Sequence, residues 1–318
     1  MIEASKPAAT LDMIESVMRA ELAHGDALIG TIIPIMRHLV TNDDSSVFSE
    51  ELVARTRAML DDVASQLLVA HADAAGSDKP HDSSREDISA LSGVLSSDSS
   101  ILAHVHALAA EWQLTERLHA RLGLDPLLSP LLQALIASRD APTATAAMNL
   151  LAAQARFAQT QRRMQLPLAE FPADLLHAAL VALRSYAGPD NAAAMQVERA
   201  IAGQFDESHG RLGLMARLLL SMGGGAQAAL SVSHGGAALF LTALSLAAGQ
   251  ERCLIVLSTN EGQLARLALS LAAAGLKQVA IEEQFLALHP DVSLPEGFET
   301  LDPDHAAAVL ASGASYPA

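Results

Sequence analysis

The sequence predicts an all-α protein of stacked antiparallel helical hairpins, either HEAT-like or an irregular bundle. Three observations carry that expectation. Apolar residues recur at helical spacing between breaks set roughly every 15–25 residues by Pro, Gly, Asn or Asp. Hydrophobic residues reach 51% while aromatics are only 3%; alanine, the best helix former, and leucine supply much of the difference. The connections between the periodic segments are short, which favours antiparallel neighbours.

The first helix is marked by Leu11, Ile14, Met18 and Leu22 and extends toward Leu39. His24-Gly25-Asp26 is a place for it to break, and Pro34 a place for it to kink. Thr41–Ser46 reads as a turn, and Ser49 as an N-cap ahead of Glu50 and Glu51. Leu52, Met59, Val63 and Leu67 then hold one face to about Ala70, giving an N-terminal hairpin over 1–71. Residues 72–100 carry six acidic residues against Lys79 and Arg85 and are rich in Ser, so a linker or long loop is expected, interrupted by a short helix at Glu86–Leu95.

A central helical domain is expected over 101–222. Ile101–Leu122 stops at Gly123, Asp125-Pro126 opens Leu127–Ala137, and Pro142 opens a helix to about Met164. Pro172 opens Ala173–Tyr186, and Asn191–Ala202 and Arg211–Met222 follow. Over 223–289 the phrases LFLTALSLAAG and LARLALSLAAAG end at Gly249 and Gly275, each suited to a left-handed helix cap, and suggest C-terminal helical repeats. No Lys or Arg follows Lys277, and 290–318 reads as an extended acidic tail. An α/β alternative rests on 252–281. There Arg252–Ser258 and Lys277–Ile281 are short β-branched runs flanking a helical pattern, as in a βαβ unit.

The function classes narrow by exclusion. Thirty-six acidic against 20 basic residues give a formal charge of −16, which repels a phosphate backbone, so nucleic acid is not an expected partner. The one cysteine, Cys253, cannot form an internal disulfide or a thiolate zinc cluster, and in an apolar run it reads as packing. Mean hydropathy is +0.27. The longest apolar-looking stretch, Ala237–Ala248, is nevertheless too short for ~30 Å of hydrocarbon, and no secretory signal pattern opens the sequence. A cytoplasmic protein without a membrane span is therefore expected.

The twelve histidines lack metal-ligand spacing; His104 and His106 fall ~200° apart on a helix. Gly223–Gly225 and Ser233-His234-Gly235-Gly236 match no phosphate-loop pattern and read as turns. His-Gly-Gly lacks the G-x-S-x-G partner that an esterase would need. No catalytic, cofactor-binding or metal-ligating residue is expected.

The informative surface is a basic island, Arg139–Met164, in which Asp140 is the only acid. It holds Arg139, Arg156, Arg162 and Arg163, and the same helix shows Gln154, Gln159, Gln161 and Gln165. Such a face suits an acidic partner protein. Trp112, near Arg117, reads either as a core anchor or as an interface residue.

Leu239–Leu288, LFLTALSLAAGQERCLIVLSTNEGQLARLALSLAAAGLKQVAIEEQFLAL, resembles the C-terminal part of an uncharacterised alphaproteobacterial domain-of-unknown-function family similar to HEAT-like helical proteins. The resemblance implies that Cys253–Ser258 is helical, and it brings no catalytic residues.

The expected function is a non-catalytic protein-interaction or scaffold module that grips its partner through a helical face. A homodimer could close through Ala/Leu faces such as Leu264–Ala274. The alternatives are a nucleotide- or small-molecule-binding enzyme on the 252–281 unit, with Thr259, Asn260 and Glu261 at its loop, and a phosphotransfer bundle acting through His177.

Overall fold

The computed structural model describes residues 6–41, 50–76 and 84–313. Among these every regular element is helical. The cap expected at Ser49, most of the turn expected at 41–46 and the last residues of the expected tail lie outside the described residues.

α1 (Lys6–Thr41) runs unbroken through His24-Gly25-Asp26. Gly25 serves close approach here, not a break. A Cβ at this position would lie 2.9 Å from Gln263 Oε1, and the Gln263 amide donates to the Gly25 carbonyl. The neighbouring Asp26 accepts from the buried Arg266 guanidinium.

α2 (Glu50–Ala74) is followed by α3 (Arg85–Ser97) and α4 (Ser99–Leu122). Ser84 caps α3 by accepting the Asp87 N–H at 3.1 Å. Asp98 caps α4 by accepting from Ser100 and Ile101 at 2.9 and 3.0 Å. The segment expected to be a linker is thus largely helical, and it buries Leu91 and Leu95 completely.

α5 (Pro130–Ile136) starts later than expected. Asp125 accepts from Leu127 and Leu128 in a local turn, and Ser129 is the true N-cap. α6 (Ala141–Arg162), α7 (Ala173–Ala187), α8 (Ala192–Gln204) and α9 (Arg211–Ser221) follow the expected punctuation, with Asn191 capping α8 through the Ala194 N–H at 3.0 Å.

α10 (Val232–Ala248), α11 (Arg252–Ser258), α12 (Leu264–Ala273) and α13 (Gln278–Leu288) complete the Leu/Ala-rich region. Gly249 and Gly275 are left-handed, at φ +61° and +83°, as their positions after a helix require. The βαβ alternative is overturned, because both β-branched runs are helical. In α11, Leu254 through Ser258 are all buried, so the segment has no polar face to show a helical period.

The expected acidic tail is likewise replaced by structure. Asp302 caps α14 (Pro303–Ala311) by accepting the His305 N–H at 2.9 Å. Ala306, Val309 and Leu310 face inward as α14 packs on α12, while Glu299, Asp302 and Asp304 face out.

The chain divides into two units, each discontinuous in sequence, instead of the consecutive segments expected. One comprises Met1–Ile32, Gln113–Leu151 and Met215–Pro317. Its interior centres on α10, which packs against α5, α11, α12 and the 3-10 turn Gly223–Leu230. The other is formed by Ile33–Trp112 and Ala152–Leu214. In it α2 packs against α3, α7 and α8, and α7 packs against α3 and α8.

Among the described residues no single helix is long and apolar enough to cross a membrane. The turn Gly223–Leu230 and α10 are jointly long and apolar enough, but they bend by 113°, and Leu239–Leu244 are buried inside the first unit.

Candidate functional site

The basic island falls on the C-terminal half of α6, in the second unit. Arg156, Gln159 and Arg163 follow i, i+3, i+7 spacing and are exposed, with Arg162 beside them. Among the described residues none of these three arginines forms an ion pair.

Gln154 and Gln161, also seven apart, turn inward, so the expected Gln/Arg face is split into two sides of one helix. The Gln161 carbonyl accepts from the buried Arg55 guanidinium, and the Gln161 amide approaches the Met59 sulfur at 3.3 Å.

The end of α6 is fixed by its own backbone. Gln165 N–H reaches the Thr160 carbonyl at 2.9 Å, and Met164 N–H reaches the Gln161 carbonyl at 3.0 Å. This is a Schellman motif, with Met164 at φ +54° in the place usual for glycine. From α2, Asp62 accepts the Leu166 N–H at 2.9 Å, while Gln66 donates to the Leu166 carbonyl at 2.8 Å. Burial raises the Asp62 pKa against the hydrogen bonds that its carboxylate accepts from Leu166 N–H, Gln66 and Gln165, which lower it. Arg162 and Arg163 therefore project from an anchored turn.

The other three expected site residues do not join this surface. Arg139 is exposed in the first unit, ahead of α6. Arg117 is exposed on the part of α4 that belongs to the first unit; partial burial of its guanidinium and the nearby Arg121 lower its pKa, with Glu261 opposing. Trp112 is only 2% exposed. It packs edge-on to Phe157, with ring centroids 6.5 Å apart, and so occupies the core position that was its alternative reading. Among the described residues its indole N–H has no hydrogen-bond partner.

A buried ionic cluster lies in the same unit and went unnoticed in the sequence. Arg211, the first residue of α9, holds Glu111 of α4 through two hydrogen bonds of 2.8 and 3.1 Å. Its Nε reaches Glu170 at 3.3 Å and its Nη1 reaches Gln154 at 3.4 Å. The guanidinium carbon sits 3.5 Å from the centroid of the Phe157 ring. Arg211 is 1% exposed and Glu111 0%. Burial pulls the arginine pKa down, but Glu111 and Glu170 outweigh it and the net shift is upward. The partners lie 100, 57 and 41 residues from Arg211, so no local motif announces them. With both full charges sealed from water, the cluster ties α4, α6 and α9 together and presents nothing to a substrate.

The histidines divide by environment. His104 Nε2 lies 3.1 Å from the Glu170 carbonyl. Burial pushes His106 down to about 4, and its Nδ1 has no partner. His289 is buried and its pKa is lowered by burial and by Arg117. His177 is exposed on α7. No group of three or more His, Cys, Asp or Glu among the described residues is placed to hold a metal ion.

The glycine pair after His234 serves packing. A Cβ on Gly235 would meet the Ala229 carbonyl at 2.8 Å. Gly236, at φ +69°, would bring its Cβ within 3.1 Å of the Ser129 Cβ.

No family model, curated protein or solved structure matches the chain.

Proposed function

We propose that the protein is a non-catalytic interaction module, acting in a reducing compartment such as the cytoplasm, that binds an acidic segment of another protein through the C-terminal face of α6. The observation that carries this reading is the exposure of Arg156, Arg162 and Arg163 without ion-pair partners among the described residues, in a chain of formal charge −16. Exposed arginines of this kind raise the association rate with an acidic partner and set its orientation, more than they add affinity. Arginine also presents a planar fork of donors matched to carboxylates. The fixed α6 terminus favours the reading, since a preorganised surface loses less entropy on binding.

The test is a charge reversal, Arg156→Glu, Arg162→Glu and Arg163→Glu together, compared with the parent protein by affinity capture from native lysate and quantitative mass spectrometry. All three positions are exposed, so helicity by circular dichroism should stay constant. Partners lost on reversal, and lost from the parent at raised salt, are the expected result. An identical capture profile for both proteins would remove the reading.

A further inference from the structure

The first unit contains a pocket of about 370 Å³ between the end of α9, the 3-10 turn Gly223–Leu230 and the C-terminal ends of α10 and α12. It exists because small residues stand where larger ones would fill the space. Gly223 and Gly224 lie on one wall, and Ala243, Ala247 and Ala274 on the other. No charged side chain lines it; Gln227 is the single polar side chain among the eleven lining residues. Leu220, also in the lining, is 68% exposed, an unusual state for a leucine beside a cavity.

Size and chemistry select the occupant. Small-molecule sites are concave, mostly apolar and ~300–1,000 Å³ in volume, with a few polar groups to orient the ligand. A dry apolar cavity of ~150 Å³ already takes benzene. Eleven lining residues fall well below the ~20–30 per side of a stable protein interface. The mainly apolar lining with its single amide matches a neutral ligand that has one polar end.

We propose that this pocket binds a neutral single-chain aliphatic molecule, its hydrocarbon along the Ala/Gly walls and its one polar end toward Gln227. The proposal is independent of the arginine face of α6.

The test uses straight-chain 1-alkanols from hexanol to tetradecanol, with binding to the full chain followed by isothermal titration calorimetry. Each added methylene should tighten Kd about fourfold, until the chain outgrows the pocket and the gain stops. Ala247→Phe fills the mouth from an exposed helix position and should abolish binding while leaving the circular dichroism spectrum unchanged. A second variant, Ala274→Leu, enlarges another lining side chain and should shift the cutoff to shorter chains. Three results would overturn the proposal. One is no binding by the parent protein. Another is affinity that keeps rising past the cutoff and is equal in Ala247→Phe, which marks unspecific partitioning. The third is a self-association that Ala247→Phe abolishes while alkanols do not bind, which would make the patch a contact between copies.

Discussion

Replacing Arg211 by methionine should strongly destabilise the second unit. The substitution keeps much of the aliphatic volume and removes only the guanidinium. Glu111, 0% exposed, would then lose both charge-assisted hydrogen bonds. Gln154 and Glu170 would each lose one more. Removing one member of a buried ion pair costs about 3–5 kcal/mol, because the buried carboxylate loses its counter-charge and the two hydrogen bonds that came with it. The double variant Arg211→Met, Glu111→Leu removes both charges and should recover much of that loss, giving a coupling of about 2 kcal/mol or more. Urea unfolding followed by the fluorescence of Trp112, the one tryptophan, reads this unit directly.

A single variant that costs less than about 1 kcal/mol, or a double variant as unstable as the sum of the two singles, would refute the reasoning by showing that water reaches the cluster.

Other expectations follow from single positions. His106 is neutral in the fold, near 4 against 6.5 for the ordinary side chain, so its contribution is complete above pH 6.5 and is lost as the pH falls toward 4, by roughly 3 kcal/mol. His106→Leu should flatten the acid limb of the urea midpoint; an unchanged limb would exclude His106 as its source. Met164→Gly should stabilise by up to about 1 kcal/mol, since a left-handed non-glycine residue costs ~1–2 and glycine returns part of that as entropy. Met164→Val should destabilise, and equal melting temperatures for the two would argue against the left-handed turn. Gly235→Ala should cost about 1–3 kcal/mol, because the methyl meets a backbone carbonyl that cannot rotate away. Gly93→Ala, in open space on α3, should gain about 0.5–1 kcal/mol instead. The same sign for both would mean that helix propensity alone decides.

Much of the helical framework was legible because its signals are local. Asn191 and the glycines at 249 and 275 act within a few residues of where they stand in the chain. What failed was read from composition. Charged residues at 299, 302 and 304 made the C-terminal segment look solvated, yet they lie on the outer side of a 3-10 turn, a helix cap and the first turn of a helix whose inside is Ala306, Val309 and Leu310. Arg252–Ser258 resembled a strand because burial on all sides erases the helical period.

The arginine face was half legible. Spacing placed Arg156, Gln159 and Arg163 together, but it could not show that Gln154 and Gln161 turn away. Their partners, Arg211, Arg55 and Met59, come from distant parts of the chain. The alkanol pocket left no readable mark, since it is defined by side chains that glycine and alanine lack.

The packing of α14 against α12 bears on how the protein is handled in the laboratory. A clone truncated near residue 301 would strip α14 from α12, a helix whose residues Arg266–Ala272 are at present sealed from solvent. The shortened product should be sticky and recovered mainly in inclusion bodies, so a purification handle at that end belongs beyond Gly313, on a spacer long enough to leave the closing helix undisturbed.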